Sequence, residues 1–155
     1  MQKTNVLRIL DSKSLKYGVT EYEVEEEALD AVTVANKINA EIDQVFKTLV
    51  ARGDGNNIFV FVIPGQYELD LKKAAKASSN KKVEMIKVKE LLPLTGYIRG
   101  GCSPIGMKKN YPTFIDESAL LFEEIYFSAG KRGMQVKLAP LELAEITSSE
   151  FSDLI

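Results

Sequence analysis

The sequence predicts an α+β fold, a mixed and mostly antiparallel barrel-like sheet with helices packed outside it, in a single domain over residues 1–155. Three observations carry this. Gly53-Asp54-Gly55-Asn56 is hairpin chemistry between two strand-like runs, 47–51 and 57–63. Residues 58–63, Ile-Phe-Val-Phe-Val-Ile, are continuously apolar and read as a central strand covered on both faces. Apolar residues recur at helical spacing in short segments outside these strands.

Taken in order, Thr4 caps a first helix with Val6, Leu7 and Leu10 inward and Ser14 as a further position on that face, running to about Tyr17 with Gly18 after its end. Residues 20–24 alternate like a short strand, and Glu25-Glu26-Glu27 reads as an exposed connection. A helix over 31–38 is expected to bury Val32, Ala35 and Ile38. Beyond the hairpin, Pro64-Gly65 stops the central strand, Asp70 caps a helix through Ala77, and residues 83–85 form a short strand. A brief helix over 88–92 is expected to break at Pro93. Strands follow at 113–116, 125–128 and 134–138, with a short helical or turn segment after the first and a tight turn before the last. Pro140 opens a final helix over 141–146, and the acidic tail is expected to fray. The sequence contains no internal repeat, low-complexity segment or domain linker.

Composition removes whole classes of function. With no histidine there is no Ser-His-Asp or Cys-His catalysis and no histidine-ligated metal, and one cysteine excludes a Cys₄ zinc site. Any catalysis rests on Lys, Tyr, Asp/Glu, backbone amides or the substrate itself, so neither a metal nor a cofactor is expected. There is no apolar run near 20 residues and no basic-then-apolar leader, so a membrane span and a signal peptide are not expected, and a single cysteine fits a cytoplasmic protein.

The net charge of −2 conceals segregation. Residues 1–70 hold 7 basic and 12 acidic residues, 71–137 hold 13 and 6, and 138–155 hold 0 and 4. The basic middle suits a polyanion, although lysines also solvate helix and strand faces.

Two stretches are candidates for chemistry. In 96–106, Gly-Tyr-Ile-Arg-Gly-Gly-Cys-Ser-Pro-Ile-Gly, four glycines and a proline interrupt a β-like run. Such backbone can approach a phosphate, a ribose or a small acyl group, or can simply turn between strands. Asp43-Gln44-Val45-Phe46-Lys47-Thr48-Leu49-Val50 places Lys47 among apolar residues at a strand start, as a positioned cation or as an edge residue reaching to water.

These two stretches, together with 69–77, 81–85 and Ser128-Ala129-Gly130-Lys131-Arg132-Gly133, resemble the YbaK/EbsC family of aminoacyl-tRNA deacylases, which is related to the editing domain of prolyl-tRNA synthetase. The resemblance covers nearly the whole chain in the same order, and it rests on the agreement of several motifs.

The resemblance implies that Lys47 lies in the acyl-ester pocket and is needed for activity. Thr48, Gly100, Gly101 and Ser128 match pocket positions, and Tyr22 matches a tyrosine near the site. It implies an aminoacylated tRNA 3′ end as substrate, with Lys72, Lys73, Lys76, Lys108, Lys109, Lys131 and Arg132 available to its phosphates, and prolyl-tRNA synthetase as a partner. In the family's cysteine-specific members the thiol of the substrate is the nucleophile, forming a thiolactone and free tRNA. That would let a chain without histidine cleave an ester, because the nucleophile arrives with the substrate. Cys102 is read instead as a small hydrophobe, since nothing beside it could activate the thiol, and Asp116 as a structural brace. One departure bears on specificity: those members carry an aspartate where this chain has Gln135. Cys-tRNA(Pro) is the expected substrate, tRNA carrying alanine or another small residue the alternative, and a non-catalytic RNA-binding or synthetase-associated module the reading from another class.

Overall fold

A computed structural model describes residues 3–25 and 29–155, so Glu26 and Glu27 of the expected acidic connection lie outside the described residues while Glu25 is exposed. The first helix, α1 (Asn5–Ser12), starts where expected. The Thr4 hydroxyl accepts from the Leu7 amide at 3.3 Å and donates to the Ala129 carbonyl at 2.6 Å, so one side chain caps the helix and ties it to the site-forming half of the chain. Val6, Leu7 and Leu10 are fully buried. The helix ends well before Tyr17 because Ser14 turns left-handed, at φ 55°, leaving it exposed and off the helical face; Gly18 instead opens β1 (Gly18–Glu21).

In α2 (Ala31–Ile38) the Asp30 carboxylate accepts from the Thr33 amide at 2.9 Å. Its inner face is Ala31, Val34, Ala35 and Ile38, a strict three-four spacing that packs on Val45, whereas Val32 falls one position off that stripe and is 51% exposed. The hairpin forms as read: β2 (Phe46–Arg52) runs antiparallel to β3 (Ile58–Pro64), closed by the Gly53 amide on the Asn57 carbonyl at 2.8 Å. Behind β3 lies α3 (Leu71–Ala77), whose Asp70 cap accepts from the Lys72 and Lys73 amides at 3.0 Å.

The larger sheet also contains β4 (Glu84–Met85), β5 (Thr113–Asp116) and β8 (Glu150–Ser152), in the order β4-β2-β3-β5-β8. The β3–β5 and β5–β8 pairs are parallel. The smaller, antiparallel sheet is β1, β7 (Met134–Leu138) and β6 (Ile125–Ser128) in that order. The expected barrel is not found: among the described residues β4 and β8 end one sheet and β1 and β6 the other, and although the two sheets share one hydrophobic core, the β-bridge between them is a parallel one from Val45 to Tyr126.

Two further expectations are corrected. The helix α4 (Val88–Thr95) runs through Pro93 and ends at Gly96, because the proline sits in the last turn and removes only the bond to the carbonyl of exposed Lys89. The C-terminal tail does not fray. After α5 (Pro140–Thr147) the chain adds β8 beside β5 and buries Leu154 completely, with the Leu154 amide donating to the Asp116 carboxylate at 2.9 Å. The Asp70 amide donates to the Leu154 carbonyl at 2.8 Å. Asp116, 1% exposed, also accepts from the Ser118 amide at 3.1 Å, which makes it the brace the sequence suggested.

Candidate active site

The site occupies the seam between the sheets. At one end of the outer edge of β2, Val45 bridges to Tyr126; at the other, Ala51 pairs with Met85. Between them Lys47, Thr48 and Leu49 have no strand partner on that edge among the described residues, so the backbone there opens onto a gap rather than a ladder. Ser128 and Gln135, cross-strand partners in the smaller sheet, approach from one side. Val34 of α2 and Gly100 and Cys102 of the glycine-rich loop close the rest around a cavity of about 100 Å³ whose lining also includes Lys47 and Thr48.

The glycines are required by this closure. Gly100 holds φ 85°, and a side chain on Gly101 would come within 3.1 Å of the Lys131 backbone. The loop is pinned by the buried Tyr97 hydroxyl, which donates to the Ile105 carbonyl, by the Ile105 amide on the Ser103 hydroxyl at 3.3 Å, and by the Arg132 guanidinium on the Arg99 carbonyl at 2.8 Å. Burial pushes the Tyr97 hydroxyl up to about 12, so it stays a neutral donor.

The electrostatics separate the polar groups by role. Desolvation lowers the Lys47 ammonium from its ordinary value, with Glu68 opposing the shift. Burial raises the Cys102 thiol to about 12, and the Thr95 hydroxyl only partly offsets this; a thiol held neutral is no nucleophile at physiological pH. The Ser128 hydroxyl accepts from the Gly130 amide at 3.1 Å, which leaves its own proton to donate. Among the described residues, Thr48 Oγ1 and Gln135 Oε1 are buried oxygens with no hydrogen-bond partner.

A second cavity of about 340 Å³ shares Lys47, Thr48, Gly100 and Cys102 with the first. Its floor is apolar, from Leu49, Val50, Ile86 and Leu91, and Lys87 and Arg99 bring cations to its lining. An Arg52–Glu90 ion pair at 3.0 Å holds α4 against β2 and so fixes that wall. Lys87, Arg99 and the α4 residues are site residues that sequence reasoning missed. Only Arg99 carried a signal, lying inside the glycine-rich stretch; the others depend on the turn of α4 toward β2.

Of the residues read from the sequence, the structure gathers Lys47, Thr48, Gly100 and Ser128 around one cavity. Gly101 is buried beneath the loop against Lys131 and Arg132. Tyr22 packs on the Val34–Ala35–Val45 cluster behind the cavity wall, its amide on the Gly133 carbonyl at 2.9 Å. The basic residues fall in separate places. Lys131 and Arg132 abut the glycine loop. Exposed Lys108 lies by the end of α4, its ammonium 3.4 Å from the Pro93 carbonyl, and Lys109 lines a cavity of about 590 Å³ between α1, residues 104–113 and the end of α5. Lys72, Lys73 and Lys76 stand on α3, with Lys73 bonded to Asp153 and the Ile155 carbonyl. The cavity of about 590 Å³ holds none of the residues gathered at Lys47, and its lining includes no buried orphan, so the smaller paired cavities are the candidate site.

The candidate site is thus a small chamber with a partly desolvated lysine, beside a larger groove whose lining carries further cations. Comparison with known proteins gives the family: residues 25–146 match the aminoacyl-tRNA editing domain, and the chain belongs to that family. It is 49% identical over 153 residues, 99% of this chain and 93% of the relative, to the Enterococcus faecalis protein named "Putative Cys-tRNA(Pro)/Cys-tRNA(Cys) deacylase EbsC". It is 28% identical over 132 residues, 85% of this chain and 82% of the relative, to the Bacillus subtilis "Uncharacterized protein YwhH". Among solved structures, one described as "a putative trans-editing enzyme for prolyl tRNA synthetase" superposes with a TM-score of 0.84 at 25% identity, covering 99% of this chain and 98% of that one. A hypothetical protein at 20% identity superposes with a TM-score of 0.88 over 97% and 99% of the two chains and shows the same fold. Among the described residues no helix is long and apolar enough to cross a membrane.

Proposed function

We propose that the chain, acting as one domain over 1–155, is a cytoplasmic trans-acting deacylase that removes cysteine from mischarged tRNA(Pro), working beside prolyl-tRNA synthetase. The observation that carries this is the cavity at Lys47, where Thr48, Gly100 and Ser128 converge on a space sized for a small side chain. The ester lies at Lys47, where the two cavities meet. The amino acid enters the smaller chamber, and the ribose and base of the terminal nucleotide extend over the apolar floor of the larger one, with Lys87 and Arg99 toward its phosphate.

Lys47 stabilises the negative charge that develops on the ester carbonyl oxygen. Ser128 and the backbone of Gly100 fix the acyl group, while Gly101 lets the loop approach and Tyr22 supports the chamber wall. The substrate's own thiol is the nucleophile. Its sulfur bonds to the carbonyl carbon, the bond from that carbon to the ribose oxygen breaks, and the thiol proton ends on the ribose hydroxyl; water then opens the thiolactone to free cysteine. No group on the protein is asked to activate water, which suits a site where the one thiol is held neutral and no histidine exists.

The test is a panel of Cys-, Ser- and Ala-charged tRNA(Pro). Cleavage of Cys-tRNA far faster than of the nearly isosteric Ser-tRNA supports the reading. Equal rates on Cys and Ser, or efficient cleavage of Ala-tRNA, would point to attack by water and to the alternative specificity. Binding of all three without turnover would leave only a non-catalytic module.

A further inference from the structure

The apolar residues of α4 do not all turn inward. Leu91 packs on the main core, whereas Val88, 69% exposed, and Leu92, 52% exposed, stand one turn apart on the outer side of the helix. Met85 of β4, 42% exposed, joins Val88 in the lining of the cavity of about 340 Å³. Apolar surface therefore runs out of that cavity and along the outside of α4. Large apolar side chains gathered in water at the border of a site mark a surface that a partner covers.

Charge selects the partner. The lining of that cavity includes Lys47, Lys87 and Arg99 and no carboxylate, and Lys87 and Lys89, both exposed, flank Val88 in the chain. Glu90 is already engaged, its carboxylate accepting from the Lys87 amide at 2.8 Å and pairing with Arg52. Glu84, next to Met85, falls on the opposite face of β4. Apolar side chains interleaved with cations suit a single-stranded nucleic acid, whose bases stack on the apolar surface while its phosphates meet the charges. A duplex hides the faces of its bases and would leave Val88 and Leu92 uncovered.

We propose that the outer side of α4 is a stacking platform for the two nucleotides that precede the terminal one in the single-stranded 3′ end of the tRNA, with Val88 and Leu92 under their bases and Lys87 and Lys89 toward their phosphates. This rests on the deacylase reading above, in which the terminal nucleotide occupies the cavity that Met85 and Val88 border. Val88 and Leu92 lie about 6 Å apart along the helix axis, which gives each base its own side chain. The platform gives affinity for an unpaired 3′ end without reading its sequence.

The experiment compares three cysteinyl esters: of the terminal nucleoside alone, of the single-stranded trinucleotide that ends in it, and of the same trinucleotide made abasic at its first two positions. Each is given to wild type and to the Val88→Ala, Leu92→Ala double variant. Both side chains are mostly exposed, so their removal leaves the fold in place, which circular dichroism checks. Wild type is expected to show a KM about 10- to 100-fold lower on the trinucleotide than on the nucleoside, and to lose about tenfold of that gain when the two bases are removed. The double variant is expected to show the higher KM on the intact trinucleotide and no further rise on the abasic one. A wild-type KM that ignores the two bases, or a double variant that distinguishes the two trinucleotides as wild type does, would overturn the platform while leaving the deacylase standing. A dimeric wild type that the double variant turns monomeric, with no change in either KM, would assign the face to a second copy of the chain and overturn it too. Cleavage of none of the three esters by wild type would overturn the deacylase reading and this inference with it.

Discussion

At the scale of single residues, Lys47 was the one candidate whose role depended on more than its neighbours in sequence. A lysine between apolar residues reads equally as an edge residue, and only the absence of a strand partner beside it turns it into a cavity group. Its lowered pKa gives a signed prediction. The ammonium is the active form, so the enzymatic rate, corrected for spontaneous ester hydrolysis, falls as pH rises through a value below the ordinary 10.5. For stability the sign is opposite. The unfolded chain binds that proton more tightly, so the fold bears the desolvation cost at neutral pH and is relieved of it as pH rises through the lowered pKa toward 10.5. Lys47→Met is therefore expected to unfold at the same or a higher denaturant concentration than wild type while losing activity, a separation visible by urea titration alongside turnover. Cys102→Ser is expected to stay active, and alkylation of the native thiol at neutral pH to be slow, because its pKa lies about 12.

Secondary elements were legible where local chemistry decides them. The Asp70 cap, the Gly53–Asn57 turn and strands β5, β6 and β7 fall where the sequence placed them. Misreadings arose where a distant partner decides. Ser14 turns left-handed although the apolar spacing would continue, and the C-terminal residues become a strand only because β5 offers an open edge and Asp116 a buried acceptor. An acidic tail gives no local sign of this, since Leu154 is its one fully buried side chain. Leu154→Ala is expected to destabilise by about 2–5 kcal/mol, as for other fully buried leucines, measured by urea unfolding. A change under about 0.5 kcal/mol would mean that the tail is not anchored in solution.

On the scale of the whole molecule, the sequence supplied the α+β class and, through the family resemblance, four residues that the fold gathers at one cavity, but not the seam, because how two sheets meet is set by pairings between residues far apart in the chain. The bridge between Val45 and Tyr126 spans both halves, and no local pattern announces it. The same holds for the basic residues, which share a charge block in sequence but occupy separate regions in space. Lys131 and Arg132, against the glycine loop, are expected to contact tRNA phosphates. Replacing either with alanine should reduce the slope of log affinity against log salt by about one. Lys73 already has Asp153, so Lys73→Ala should leave that slope nearly unchanged.

The most direct measurement is single-turnover release of cysteine from Cys-tRNA(Pro) by the native chain and by Lys47→Ala, with the fold of each checked by circular dichroism. The native chain is expected to accelerate release well above the uncatalysed rate, and the folded variant to lose about 10²–10³-fold of that acceleration, the cost of removing a group that stabilises charge in the transition state. A folded Lys47→Ala variant that releases cysteine at the native rate would contradict the placement of the reaction in the seam between the two sheets.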